Sequence, residues 1–150
     1  MNYEKVILST DCDAGLNVLW KWFKVKKNEE NKAEEIQPNR IEVLYFHGAQ
    51  RCITCRAIEA NTVALLDSLY SQEKANGKII YKVVDISKKE NEAIADKYEV
   101  TWSSLFVNGW KDGKENVNNM TEFSFSNARN APDKFKEGIK SKIDELLKQL

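Results

Sequence analysis

Apolar and polar residues alternate along the chain with a spacing that switches between extended and helical. Lys5–Thr10 is a short β-prone run. Asp13 fits an N-cap, and Leu16, Leu19, Trp20 and Phe23 then recur at i, i+3, i+4 and i+7, which predicts a helix from Ala14 to Val25. Trp22 and Val25 lie off that stripe and offer a second packing face. Lys26–Glu35 is almost wholly polar or charged and reads as a solvated spacer. Ile41–Phe46 is mostly apolar and β-rich, the pattern of a strand covered on both faces. His47–Arg51 is a loop. A helix opens at Cys52, with Ile58, Thr62, Leu65, Leu66 and Leu69 on one stripe and Gly77 as its stop.

Lys78–Asp85 predicts a second strand. Ser87 and Glu90 have the spacing of a capping box and predict a helix through Ala93, Ile94 and Tyr98. Leu105–Val107 is a third strand, and Lys111-Asp112-Gly113-Lys114 is a hairpin turn signal. Glu122–Phe125 alternates as an edge strand would, within an otherwise polar stretch. Asn130 is placed to cap a last helix, Ala131 to Gln149, whose stripe is Phe135, Ile139, Ile143, Leu146, Leu147 and Leu150. The order β-α-β-α-β-β-α predicts an α/β fold, a mixed sheet flanked by helices. Its first two strands are parallel with a right-handed crossover, and its later hairpin is antiparallel. Residues 1–35 read as an N-terminal strand/helix extension with a charged linker, and 36–150 as the main domain.

Composition narrows the function. The chain has 150 residues, enough for one core and short for two. Lys+Arg and Asp+Glu are both 23, so the basic excess of a phosphate-neutralising nucleic-acid binder is absent. With 6 Gly and 2 Pro the chain is neither collagenous nor of low complexity. Leu16–Val25 is broken by Lys21 and Lys24, too short to span a bilayer and unlike a signal peptide, so no membrane insertion is expected. Three cysteines do not make a disulfide-stapled domain. A reducing cytosol is the default compartment, or the periplasm if a leader has been removed.

Two of the three cysteines form a CxxC, Cys52-Ile53-Thr54-Cys55, between a predicted strand and a predicted helix. There the free N–H groups and dipole of the helix favour a thiolate on Cys52. The thiolate is the nucleophile of disulfide exchange, and Cys55, one turn on, can attack the resulting mixed disulfide. Cys52 and Cys55 are the catalytic candidates, as nucleophile and resolving thiol. Arg51 and Arg56 flank the pair and can tune Cys52, and His47, the single histidine, can tune it or carry a proton. No Arg stands where a phosphatase loop needs it, since Ile58 and Asn61 occupy those places.

Phe46-His47-Gly48-Ala49-Gln50-Arg51-Cys52-Ile53-Thr54-Cys55-Arg56, read as strand, loop and helix, resembles the redox motif of the thioredoxin superfamily. The likeness covers about residues 36–150. Tyr45–Gly48 with Arg51-Cys52, and Phe123–Asn130, look closest to a small bacterial thioredoxin-like family named for the ArsF subunit of a nitrophenyl-compound nitroreductase. No GxGxxG and no flavin-binding signature accompany that name. The resemblance implies a thioredoxin-like sheet and a loop facing the cysteines. In this chain that loop is Trp102-Ser103-Ser104, and it lacks the family's cis-proline, since the two prolines are Pro38 and Pro132. Arg51 replaces the family's aromatic residue before the first cysteine, Phe46 its buried acid, and Ile53-Thr54 its Gly-Pro.

Three functions fit these residues. The first is a thiol-disulfide oxidoreductase that cycles Cys52/Cys55, needs no cofactor and takes a thiol or disulfide protein as partner. The second is a non-catalytic adaptor subunit, with Arg51, Trp102, Ser103 and Ser104 as docking surface. The third is a metal-binding protein. Cys12, His47, Cys52 and Cys55 together would just make a Cys₃His zinc set, so a metal stays open. Oligomeric state is not legible.

Overall fold

Eight consecutive buried residues, Arg40–His47, form β1 and fix the middle of the fold. In a strand, alternate side chains point to opposite faces. Ile41, Val43 and Tyr45 therefore enter one apolar cluster, and Leu44 and Phe46 enter another. The computed structural model describes residues 38–150. The chain divides into Met1–Ile36 and Gln37–Leu150, and the elements below belong to the second unit. The expected strand Lys5–Thr10, the helix Ala14–Val25, the charged spacer and Cys12 lie outside the described residues.

β2 (Ile79–Asp85) runs parallel to β1, in register from Ile41 opposite Ile79 to His47 opposite Asp85. β3 (Ser104–Lys111) lies antiparallel on the other side of β1, with Ser104 opposite Phe46. β4 (Lys114–Asn116) returns antiparallel to β3, so the described sheet is mixed, in the order β2-β1-β3-β4. The turn between β3 and β4 places Asp112 at φ 50° and Gly113 at φ 76°. Two left-handed residues in a row are what a tight hairpin between right-twisted strands demands.

The helices are α1 (Ile53–Leu69), α2 (Ser71–Ala75), α3 (Glu92–Lys97), α4 (Thr121–Asn127) and α5 (Pro132–Leu147). Ile58, Leu65 and Leu66 of α1 and Phe135, Ile139, Ile143 and Leu146 of α5 pack on the Ile41-Val43-Tyr45 face. Each such side chain contributes about 1.5–3 kcal/mol on burial. On the opposite face Ile94 of α3, with Tyr98 and Val100 just after it, packs against Leu44, Phe46 and Phe106.

Several sequence expectations are corrected. Glu122–Phe125 is not an edge strand but the middle of α4. Residues two apart are 200° apart on a helix, so Phe123 and Phe125 diverge there almost as they would in a strand. The ends of α4 decide the matter. The Asn119 side chain accepts from the Thr121 N–H at 2.9 Å, and Asn127 Nδ2 donates to the Phe123 carbonyl at 2.8 Å. Asn130 does not cap the last helix; Ala131 does, with Pro132 in the first turn, where its missing N–H costs nothing. Ser87 is not the start of a capping box. Its N–H and hydroxyl both go to the Asp85 carboxylate, and a 3₁₀ turn, Lys89–Asn91, precedes α3. The third strand extends well past Val107. Buried Asn108 holds Glu115 and the Asn118 N–H, and at Gly109 the missing side chain leaves room for Leu146.

Candidate functional site

β1 ends at His47, and the next helix starts six residues later at Ile53, so the intervening loop carries Cys52 to the helix N-terminus. Cys52 is the N-cap of α1, with extended backbone (φ −71°, ψ 166°), and its sulfur accepts from the Cys55 N–H at 3.1 Å. A sulfur thus takes the place that a Ser or Asp oxygen usually fills. The first turn of α1 has no acidic side chain, so the positive end of the helix dipole is not offset there. Cys52 is exposed, whereas Cys55 is 5% exposed. The two sulfurs are at disulfide distance, and their Cα atoms are 5.0 Å apart.

Beneath the pair, fully buried Tyr45 donates its hydroxyl to the Cys55 carbonyl at 2.8 Å and ties β1 to the first turn of α1. Burial pushes the Tyr45 phenol above its ordinary value and the Glu59 charge adds to this. Arg51 and the Ser103 hydroxyl act the other way. Tyr81 on β2 is also raised, first by burial and then by Glu59, and its hydroxyl is buried with no hydrogen-bond partner among the described residues. After burial, the Glu59 charge is thus the second cause that raises both phenols.

Arg51 spans the site. It donates one N–H to the Glu59 carboxylate and another to His47 Nε2. A guanidinium can only donate, so Nε2 accepts and His47 Nδ1 carries the proton, facing the Gly48 carbonyl at 2.9 Å. Both ring nitrogens of His47 are engaged, and the residue is buried. Arg56 is exposed and makes no side-chain hydrogen bond among the described residues; its backbone N–H donates to the Cys52 carbonyl at 3.1 Å.

Trp102, Ser103 and Ser104 divide by environment. Trp102 is 58% exposed and lies over Phe125, with ring centroids 5.0 Å apart. Ser103 is buried and faces the Tyr45 phenol, two steps from the Cys55 backbone. Ser104 is buried and donates its hydroxyl to the Trp102 carbonyl at 3.0 Å. Beside them opens a cleft of about 810 Å³, with Trp102, Phe106 and Phe125 among its walls. All described peptide bonds are trans.

The structure brings Cys52, Cys55, His47 and Arg51 together around the start of α1, and connects Ser103 to them through Tyr45. Arg56 and Trp102 are exposed at its margins. Tyr45, Glu59, Tyr81 and Phe125 are members that sequence reasoning missed. One signal was available: Glu59 stands four residues after Cys55, on the same helix face. Among the described residues no group of three His, Cys, Asp or Glu is arranged to hold a metal ion, and no helix is long and apolar enough to cross a membrane.

No family model matches the sequence, and no curated protein matches it. Among solved structures, the chain is similar to one described as "Structure of a malarial protein". The similarity covers 55% of this chain and 83% of that one, at 20% identity and a TM-score of 0.39. A likeness of that size carries no argument about function.

Proposed function

We propose that the protein is a thioredoxin-like thiol-disulfide oxidoreductase that cycles Cys52 and Cys55 between dithiol and disulfide. The observation that carries this reading is the asymmetry of the pair: an exposed Cys52 at a helix N-cap, and a buried Cys55 whose sulfur is at disulfide distance from that of Cys52. The strand, loop and helix around it, with the mixed sheet order β2-β1-β3-β4, support the thioredoxin-like assignment. The residues resembling the ArsF-named family support kinship only, without flavin or nitro chemistry.

In the reducing direction, the Cys52 thiolate attacks one sulfur of a partner disulfide. The partner's S–S bond breaks, and its other sulfur leaves with the electron pair and is protonated. The Cys55 thiolate then attacks Cys52, forming the intramolecular disulfide and releasing the partner's second thiol. Two electrons have passed from protein to partner. The positive helix end favours the attacking thiolate, and burial of Cys55 keeps it out of reach of external disulfides.

The test is trapping. Cys55→Ser should accumulate a covalent, reductant-sensitive adduct with partner proteins or a model disulfide. With adducts mapped by mass so that any on Cys12 is counted apart, Cys52→Ser should accumulate at least tenfold less at its remaining CxxC thiol, because Cys55 is buried. Equal trapping by both variants, or by neither, would sink the reading. An adaptor would keep non-covalent binding in both.

A further inference from the structure

The cleft beside Trp102 has a chemistry that the redox reading does not use. Its apolar wall is Trp102 stacked on Phe125, with Phe106 behind them. Its charged lining residues are both acidic, Glu99 and Glu122, and no Lys, Arg or His lines it. Both carboxylates are exposed, and neither has an ion-pair partner among the described residues. The adjacent cation, Lys97, is held by Glu115 at 2.7 Å.

Glu99 is the informative residue. The Val100 N–H donates to the Ala95 carbonyl at 2.9 Å, and the Glu99 N–H to Asp96 at 3.0 Å. That pair of bonds is the glycine-type helix stop, and Glu99 occupies its left-handed position at φ 53°. A glycine would take that backbone without strain. Glu122 has a local role as well, since it lies in the first turn of α4 and favours the helix start. Glu99 has no such local gain: a strained backbone position carries a carboxylate to the cleft. An exposed aromatic face beside two carboxylates binds a guanidinium or ammonium, through the ring quadrupole and the charges together.

We infer that this cleft docks an Arg- or Lys-bearing segment of the partner protein, next to the cysteine that exchanges with Cys52. The inference rests on the oxidoreductase reading for its geometry. Trp102 and Ser104 line the cleft on either side of Ser103 in the chain, and Ser103 faces the Tyr45 phenol that is hydrogen-bonded to the Cys55 carbonyl.

The test uses the full chain and two short peptides, each with one cysteine joined to thionitrobenzoate. One peptide carries Arg beside the cysteine and the other Glu. Reduced protein attacks the peptide sulfur through Cys52 and releases thionitrobenzoate, a chromophore. Cys55 then displaces the peptide as its thiol, leaving the protein disulfide. The readout is the ratio of the two rates within each variant, so a general change in thiol reactivity cancels. The wild type should prefer the Arg peptide about tenfold at low salt, with the gap closing at high salt. Glu99→Gln with Glu122→Gln should bring the ratio to about one. Glu99→Gly should lower the ratio while raising the melting temperature, which a purely structural role would not do. A wild-type ratio of one or below, or a ratio unchanged in the double variant, would overturn the inference.

If neither peptide reacts, the redox reading fails, and docking is decided separately by the Arg peptide with serine in place of cysteine. Binding of that peptide, weakened about fivefold or more by the double variant, upholds the cleft as a cation site. Absence of binding rejects it.

Discussion

Glu59 is the residue on which the electrostatics of the site turn. It neutralises Arg51 immediately before the proposed nucleophile, and its charge reaches two buried phenols. Glu59→Gln keeps an oxygen that can accept from Arg51 but removes the negative charge paired with Arg51, one helical turn after Cys55. A thiolate is then less opposed, and the Arg51 charge is no longer offset. In the reduced protein, alkylation of Cys52 should therefore reach half its maximal rate at lower pH, with a two- to threefold gain, roughly, at slightly acid pH. A pH profile of iodoacetamide alkylation with mass mapping checks this; a shift to higher pH, or none, would contradict it. Cys52 and Cys55 were legible in the sequence as a spatial pair, because their spacing puts both thiols at the start of one helix. Tyr45, Tyr81 and Phe125 were not, because their part depends on which strand or helix lies across from them. His47 and Arg51 were legible as neighbours of the thiols, but not as partners of each other.

At the scale of elements, the pattern specified whatever one strong periodicity could specify. β1 was readable as buried on both faces, and the stripes of α1 and α5 match their buried residues except at the ends, where Leu69 is exposed and Leu147 and Leu150 are only partly buried. The failure at α4 has a physical basis: four alternating residues are too few to separate a period of 2 from one of 3.6. Besides the hydrogen bonds at its ends, packing against α5 favours the helix. A Cβ added at Gly138 would lie 2.2 Å from Phe123 Cζ, so the glycine is there to admit that ring. Gly138→Ala should therefore destabilise the protein by about 1–3 kcal/mol, even though alanine alone would favour the helix by about 1 kcal/mol. Adding Phe123→Leu should recover much of the loss. Urea unfolding of the single and double variants measures both effects. A Gly138→Ala protein as stable as the wild type would show that the α4–α5 contact is not tightly packed.

At the scale of the whole molecule, sheet order decides what the site can be. β1 is central, paired on both sides, and the loop after it opens beside the start of β3, because Ser104 pairs with Phe46. Two segments more than forty residues apart in the sequence are thereby placed at one end of the sheet. A mixed α/β sheet was legible from the order of elements. The pairing of β3 with β1 was not, because strand order depends on long-range contacts that no local pattern records. The same arrangement gives Cys52 an open surface and Cys55 a buried one, which is the property a dithiol exchanger needs.

The most direct test of that claim is a redox titration of the whole chain in thiol/disulfide buffers, with alkylation and mass mapping of Cys12, Cys52 and Cys55. Cys52 and Cys55 should convert together as a single two-electron couple, within about −120 to −270 mV, whatever Cys12 does. Failure of the pair to form a disulfide in any buffer, or titration of the two thiols as independent sites, would contradict it.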